Sequence, residues 1–419
     1  MIVKNSIEYK YIFALISSTA LTALLNFVVQ VYMARYSSVD VFGQYSIYTT
    51  TILIMFNVIN LGLGHYYIKE FSQNSGDDKI EINSFLILLS SMVFGFFIIS
   101  LIFIYLFPGF DYYLIFLLGS GVVGYALHEI IQSYYVGIQN KNKLIVWQPL
   151  LQIFRCIVLF VLIFIFGKLD FKLLSIFSFS FSFLILLIIF LMRNKIFYLN
   201  RGDFSIVKIK KILKNSIWFG MVGFLYVLYS QFGIIYVGKK LSAELAGFFN
   251  IGYTFVLLSL IIPNTFYYRF LLPKLHGWIL YDKIKLKKSY TVGALLAFVT
   301  GTVISLFLII TSNFIVKNFY GENYLDAVNV FKIIVVSIPF FYLSIHFGVY
   351  SYLGGAQKYK VAVLLIVTIF SLLINYVSIE NYGINGAAAS LIVITFFMAV
   401  LYWCLNYFFI FNKILRDVK

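Results

Sequence analysis

Residues 34–48 read ARYSSVDVFGQYSIY and interrupt a very apolar sequence. About twenty apolar residues precede this stretch and about twenty follow it, which is the length that a helix needs to cross a bilayer. The polar residues and Gly43, which permits a tight approach of the backbone, fit a turn between two membrane helices. The stretch therefore predicts that the chain crosses the membrane on both sides of this turn.

The composition indicates an integral membrane protein. Of 419 residues, 62% are hydrophobic and only 11% are charged, and the mean hydropathy is +0.95. The formal net charge of +16 fits basic residues that hold loops in the cytoplasm, so we expect no nucleic-acid partner. Cys156 and Cys404 lie in apolar runs without the spacing of a disulfide framework or a metal site, and we predict no cofactor.

Twelve apolar segments are long enough to cross a bilayer, so we predict an all-α polytopic membrane protein. An N-terminus inside the cell puts 23 Lys and Arg residues in cytoplasmic segments and 6 in outside loops, whereas acidic residues divide as 8 and 7. The positive-inside rule predicts this contrast for a chain with both termini in the cytoplasm. The predicted spans are 11–34, 45–68, 83–107, 112–137, 144–167, 172–192, 215–238, 248–272, 289–316, 325–352, 360–379 and 386–411.

The opening stretch has a copy later in the chain. A shift of 204 residues sets it against VGKKLSAELAGFFNIGY (237–253), and a shift of 217 sets GIQNKNK (137–143) against GGAQKYK (354–360). Both matches keep the same sidedness in the membrane. The shifts pair Arg35 with Lys239, Ser38 with Ser242, Asp40 with Glu244, Tyr45 with Phe249, Asn60 with Asn264, His65 with Arg269 and Lys143 with Lys360.

The repeat predicts two parallel six-helix halves around a central cavity. The N-terminal half is 1–192, the C-terminal half is 215–419, and a basic cytoplasmic linker, 193–214, joins them. In transporters, parallel repeats of this kind accompany alternating access, in which one half rocks against the other.

Five stretches, in order along nearly the whole chain, resemble motifs of polysaccharide flippases in the multidrug/oligosaccharidyl-lipid/polysaccharide exporter superfamily. The likeness is closest to O-antigen flippases of the Wzx type, although Asn60 stands where an Asp is usual. These stretches are ARYSSVDVFGQYSIY (34–48), NLGLGHYYIKE (60–70), FYGENYLDAVNVFKII (319–334), YLGGAQKYK (352–360) and YGINGAAAS (382–390).

The resemblance implies a transporter and not an enzyme. Its cargo would be an oligosaccharide on an isoprenoid diphosphate, turned from the cytoplasmic to the outer face of a bacterial inner membrane. The implied partners are this lipid-linked oligosaccharide, membrane lipids, and the polysaccharide polymerase and chain-length machinery. A cation-coupled drug antiporter of the same superfamily and a membrane glycan polymerase are the alternatives. Short outside loops without His argue against the polymerase, and mostly basic charges within the helices argue against the antiporter.

Polar side chains within the predicted spans form the candidate cargo site, because polar groups are costly in hydrocarbon. Asn26 and Gln30 lie on a polar stripe of the first span, and Gln152 precedes Arg155 by three residues in the fifth. For the uncharged residues, hydrogen bonds between helices and cavity lining are equally good interpretations. Arg155 and Glu129 lie near mid-depth on adjacent helices, either as a buried ion pair or with Arg155 facing an anionic cargo.

Other ionisable residues suggest a cavity mouth and a coupling site. His65 and Arg269, near the cytoplasmic ends of their helices, either meet a diphosphate or extend towards lipid headgroups. Lys332, about seven residues into the tenth span, lines the cavity or extends in the same way. Glu129 and His346 are candidates for proton coupling, and a satisfied structural role is at least as good an interpretation of His346.

Overall fold

The computed structural model is largely helical. It describes residues 2–64, 112–170, 205–353 and 357–408, together with 66, 68, 80–81, 87, 95, 173 and 197–198. Spatial proximity divides the chain into two compact units, Met1–Val227 and Leu228–Lys419.

The first unit contains long helices and one short parallel pair of strands, β1 (Ile80–Glu81) and β2 (Phe197–Tyr198). Its described helices are α1 (Ile2–Tyr36), α2 (Val39–Asn60), α3 (Tyr112–Gly137), α4 (Lys141–Phe166) and the beginning of α5 (Ile206–Lys240).

Capping residues set the ends of α2 and α4. Ser38 Oγ accepts a hydrogen bond from the Val41 N–H at 3.3 Å, which satisfies one of the free donors at the start of α2. Asn140 Oδ1 does the same for the Lys143 N–H at 3.2 Å. α2 ends where Leu61 and Gly62 take left-handed backbone conformations, with φ of 47° and 71°.

Gly62 allows the end of α2 to lie directly on the backbone of α5. A Cβ atom at this position would be 2.2 Å from the Gly220 nitrogen and 2.4 Å from the Ser216 carbonyl oxygen. No side chain fits in that space, so the contact between these two helices depends on glycine.

The first turns of α5 pack on the core of the first unit. Ile212 belongs to a buried cluster formed mainly by α2, α3 and α4, and Ile209 and Leu213 pack against it. Lys208 and Lys211, on the other side of the helix, are exposed. The sequence 206–214, at the end of the predicted linker, is thus an amphipathic helical segment.

The second unit contains the rest of α5 and the helices that follow it. One π-helical segment, Thr265–Leu271, continues α7 (Ile261–Asn264), and a second one, Val316–Tyr320, continues α9 (Lys283–Ile315). The helices are α6 (Ala243–Ser259), α7 (Ile261–Asn264), α8 (Leu272–Tyr281), α9 (Lys283–Ile315), α10 (Ala327–Val335), α11 (Ile338–Tyr350) and α12 (Gln357–Asn406), with a 3-10 turn at Glu322–Tyr324.

The two units repeat the same local chemistry where the sequence repeats. Ser242 caps α6 by accepting the Leu245 N–H at 3.2 Å, as Ser38 caps α2. In the first unit, the Leu169 N–H after α4 donates to the Tyr36 carbonyl oxygen at 2.7 Å. In the second unit, Lys240 at the end of α5 pairs with Glu380 at 2.6 Å. Each unit therefore ties the end of its first helix to the end of its fifth predicted span.

The prediction of an all-α membrane protein is confirmed. Ten of the twelve predicted spans overlap described helices, and spans 83–107 and 172–192 lie largely outside the described residues. Within the described part, seven helices are long and apolar enough to cross a membrane. One of them, Tyr359–Asn406, contains two predicted spans, because Gly383 breaks the helix with a φ of 57°.

A Gly62→Ala variant should be severely destabilised. Alanine is strained at a left-handed φ, and its Cβ would overlap the α5 backbone. The control is Gly277→Ala in α8, where an added Cβ meets nothing within 4 Å. This change should raise the free energy of unfolding by up to about 1 kcal/mol, because alanine favours a helix more than glycine does. Thermal unfolding in detergent measures both, and equal unfolding midpoints for the two variants would contradict the close contact.

Candidate functional site

Arg155 lies at the meeting point of three helices in the first unit. It follows Lys141 by fourteen residues, which places it roughly 21 Å along α4 and near its middle. Its Nη1 donates to Asn26 Oδ1 on α1 at 3.0 Å and to Gln152 Oε1 at 2.8 Å. Its Nη2 donates to the Tyr45 hydroxyl oxygen on α2 at 2.6 Å, and only 4% of Arg155 is exposed.

These three acceptors hold the guanidinium in a fixed plane. None of them carries a formal charge, so they satisfy N–H groups of Arg155 without neutralising it. Phosphate oxygens attract a guanidinium more strongly than neutral oxygens do, because both partners are then charged and two parallel hydrogen bonds can form. The arrangement can therefore hold the cation ready and exchange its neutral acceptors for an anion.

The rest of the contact between α1 and α4 is a row of uncharged hydrogen bonds. Ser18 Oγ donates to the Ile145 carbonyl oxygen at 2.8 Å, and Gln148 Nε2 donates to Thr19 Oγ1 at 3.0 Å. Gln30, one turn beyond Asn26 on α1, is half-buried. Ser18 and Gln148 hold the helices together, as expected for polar side chains between membrane helices.

The second unit has an equivalent row of bonds without a cation. Ser371 Oγ on α12 donates to the Tyr229 carbonyl oxygen on α5 at 2.9 Å. Asn375, one turn further, donates to Ser371 and accepts from Ser390 Oγ at 2.8 Å. The shift of 217 pairs Arg155 with Leu372, and the shift of 204 pairs Asn26 with Ser230 and Tyr45 with Phe249. At the positions that match the Arg155 site, the described residues of the second unit therefore join the equivalent helices through neutral groups.

Glu129 does not pair with Arg155 in the part of the chain that the structure describes. It is half-buried on α3 and faces the chain just after α2. A Cβ on Gly64 would lie 3.8 Å from Glu129 Cγ and 2.5 Å from Ser133 Oγ. The two charged residues therefore occupy separate places in the first unit.

His128, next to Glu129, connects α3 to α4. Its Nε2 lies 3.1 Å from the Trp147 carbonyl oxygen, and Trp147 Nε1 donates to the His128 carbonyl oxygen at the same distance. The two rings stack with their centroids 5.4 Å apart. This reciprocal pair is a structural contact between the two helices.

His346 is fully buried on α11 among aromatic rings of the second unit. Its Nε2 lies 2.9 Å from the Tyr290 carbonyl oxygen, and its Nδ1 has no partner among the described residues. The rings of Tyr267 and Tyr350 lie 5.2 Å from the imidazole. Gly293 makes room for the ring, since a Cβ there would approach its Cε1 to 2.5 Å.

For the other predicted site residues, the structure gives at most the position in the fold. Lys332 is half-buried on α10, in the second unit. Arg269 lies in the π-helical segment, but its side chain is outside the described residues, as is His65 altogether. The structure therefore brings together Arg155, Asn26 and Gln152, and places Lys332, Glu129 and His346 elsewhere.

Tyr45 is the member of the Arg155 site that sequence reasoning did not select. It belongs to the opening stretch, where a tyrosine near a turn is typical of a membrane interface. The useful signal was its pairing with Phe249 in the repeat, because the two side chains differ only by the hydroxyl group that bonds to Arg155.

A protein-family model described as "Polysaccharide biosynthesis protein" matches residues 9–275 of the chain. Among curated protein sequences, none matches.

Solved structures with a similar fold are membrane transporters. The lipid II flippase MurJ in an inward closed conformation is 17% identical with a TM-score of 0.67, over 95% of this chain and 88% of that one. An inward-facing MATE family transporter of the MOP superfamily is 12% identical with a TM-score of 0.68, over 94% and 95%. A MATE transporter of Vibrio cholerae is 13% identical with a TM-score of 0.61, over 97% of both chains. At these identities the likeness shows the fold, which in the MATE structures is a two-lobed bundle of twelve helices.

A Tyr45→Phe variant should lose about 1–2 kcal/mol of stability, because Arg155 loses a buried acceptor while the ring is kept. Phenylalanine fits an equivalent position at residue 249. Tyr32→Phe on α1 is the control: its ring contacts Tyr36 and Phe160, and no described residue bonds to its hydroxyl. Thermal unfolding in detergent should separate the two variants, and equal midpoints would argue against a role for the hydroxyl.

Proposed function

The chain belongs to the polysaccharide biosynthesis protein family, and from this premise we propose that it is a flippase for a lipid-linked oligosaccharide. The cargo in this proposal is an O-antigen or related polysaccharide repeat unit on an isoprenoid diphosphate. It moves from the cytoplasmic to the outer face of a bacterial inner membrane, and both termini of the chain face the cytoplasm.

The observation that carries the proposal is the buried cation of the first unit. Burying a guanidinium at membrane depth is costly, and the equivalent helices of the second unit meet through Ser371 with Leu372, which is half-buried, at the position that matches Arg155. Helix packing alone therefore does not require Arg155. A diphosphate is the part of the cargo that needs a cation inside the membrane, and a guanidinium matches phosphate oxygens in both charge and geometry.

Transport would exchange acceptors at Arg155. In the structure, Asn26, Gln152 and Tyr45 occupy its N–H groups, so a diphosphate that enters the first unit displaces some of these neutral oxygens. The charged acceptors bind more strongly, and the neutral ones return when the cargo leaves on the other side. The isoprenoid tail stays in hydrocarbon throughout, because only the polar head is costly to transfer.

Glu129 and His346 are our candidates for coupling transport to protons. Both are ionisable, and His346 is fully buried with one ring nitrogen that has no partner among the described residues. They lie in different units and outside the Arg155 site, so in this proposal protonation changes the conformation of a unit and does not act on the cargo directly.

The alternatives are weaker for physical reasons. A cationic drug would be repelled by a guanidinium held on neutral acceptors, so a drug antiporter gains nothing from Arg155. A polymerase needs an acid–base constellation at the outer face, and the predicted outside loops are short and contain no His. In the proposal, a polymerase and chain-length machinery are separate partners that receive the exported unit.

An Arg155→Leu variant should export glycan roughly ten- to a hundred-fold more slowly, because a charge-assisted hydrogen bond contributes about 1.5–3 kcal/mol. Arg155→Lys should keep part of the activity, since it retains the charge but not the planar set of donors. Each variant is expressed in the native host after deletion of the natural gene. Surface polysaccharide and lipid-linked repeat units inside the cell are then measured.

Lys168→Leu is the matched control, because it removes an exposed cation just after the same helix and should leave export unchanged. Normal surface polysaccharide in Arg155→Leu at normal protein level would remove Arg155 from the transport site. Deletion of the gene with no accumulation of lipid-linked units, but with greater sensitivity to cationic drugs, would favour the antiporter.

A further inference from the structure

Lys360, at the start of α12, is a second buried cation. Only 8% of it is exposed, and its Nζ lies 4.0 Å from the centroid of the Tyr352 ring and 5.8 Å from that of Tyr268. The two rings stand nearly perpendicular, at 81°, with their centroids 6.1 Å apart. The ammonium group thus occupies an aromatic cage made by two rings from separate segments of the second unit.

The cage stabilises a charge that the described residues do not neutralise. Within that part of the chain, no carboxylate forms an ion pair with Lys360. The negative faces of aromatic rings attract a cation, and this attraction is largest when water is excluded. The two rings, together with the tyrosine hydroxyls that accept hydrogen bonds from the ammonium, compensate for its burial, so loss of one tyrosine should expose Lys360 to water.

The sequence repeat contains an incomplete version of the same cage. The shift of 217 pairs Tyr352 with Tyr135 and Lys360 with Lys143. In the first unit, Lys143 Nζ lies 5.8 Å from the centroid of the Tyr135 ring, but Lys143 is exposed. The shift of 204 pairs Tyr268 with Gly64, so no ring stands at the position that matches the second wall.

The added wall comes from an unusual piece of helix. Tyr268 lies in the π-helical segment Thr265–Leu271, directly after α7. Such segments often occur at functional sites, and each of their hydrogen bonds spans one more residue than a hydrogen bond of an α-helix does. If this segment returned to α-helical geometry, the residues beyond the change would rotate by roughly 100° relative to those before it. Tyr268 can therefore leave Lys360 by a local change of helix type.

We propose that Lys360, Tyr352 and Tyr268 form a latch that keeps the predicted cytoplasmic end of the C-terminal unit closed. The latch joins the π-helical segment to Tyr352, just after α11, and to Lys360, in the first turn of α12. It opens when the π-helical segment changes geometry and the ammonium group reaches water. Among the described residues of the N-terminal unit, Gly64 stands in place of the second wall and the latch is incomplete, so we expect the two units to differ in how readily this end opens.

The test measures how often the latch opens. Leu353 is fully buried beside Tyr352, and a Leu353→Cys reporter, in a chain with Cys156→Ala and Cys404→Ala, reacts with a maleimide only when this end opens. A Lys360→Met change should raise the reaction rate in detergent roughly ten-fold, as expected for loss of desolvated cation–π contacts. Lys143→Met, which removes the equivalent lysine of the first unit, should leave the rate unchanged.

Two substitutions of Tyr268 distinguish a latch from a general packing effect. Tyr268→Leu should raise the rate as Lys360→Met does, whereas Tyr268→Phe keeps the ring, loses only the hydroxyl that hydrogen-bonds to the ammonium, and should raise the rate less. If Lys360→Met fails to fold, the Tyr268 variants still test the proposal, because Tyr268 is half-exposed and its replacement disturbs the packing of the unit less. An unchanged rate in Tyr268→Leu, or an equal increase in Tyr268→Phe, would overturn the proposal. The measurement needs no cargo, so its outcome is independent of the flippase assignment.

Discussion

Polar side chains of α1 and α4 must satisfy their hydrogen bonds on each other, because the hydrocarbon of a bilayer offers them no water. Ser18, Thr19 and Asn26 on α1 meet their partners on α4 in this way. The same constraint operates in the second unit, where Ser371 on α12 bonds to the backbone of α5. Pairing the first helix with the fifth span in each unit follows from this requirement and fixes which side chains face inward.

The repeated fold provides an internal comparison for each unusual group. Where both units do the same thing, as in the serine caps at Ser38 and Ser242, the chemistry belongs to the fold. Where the two units differ, the helix packing that they share does not explain the difference. Arg155 with Tyr45 in the first unit, and the second wall of the Lys360 cage in the second, are differences of this kind.

The sequence was sufficient for the helices and for the repeat, because both leave periodic signals: apolar runs of membrane length and paired turn residues. It also selected Asn26, Gln152 and Arg155, since polar groups within apolar runs are conspicuous. It could not decide whether Arg155 pairs with Glu129, because the direction of a side chain depends on packing between helices that are distant in sequence. It also missed the role of Tyr45, whose hydroxyl matters only because α2 places it against α4.

The two differences between the units suggest a division of roles after duplication. A cation that binds a diphosphate must allow the cargo both to bind and to leave. Arg155 meets this requirement because it is held by neutral oxygens that an anion can replace. A cation that holds a conformation is useful where no anion competes, and Lys360 is enclosed by rings that offer only a weaker attraction. If both proposals hold, the first unit carries the group that binds the cargo and the second carries the group that sets the ease of opening. In a transporter, cargo binding and the opening of a unit must be adjustable independently. Because the two groups lie in different copies of one fold, a change in one group does not disturb the other.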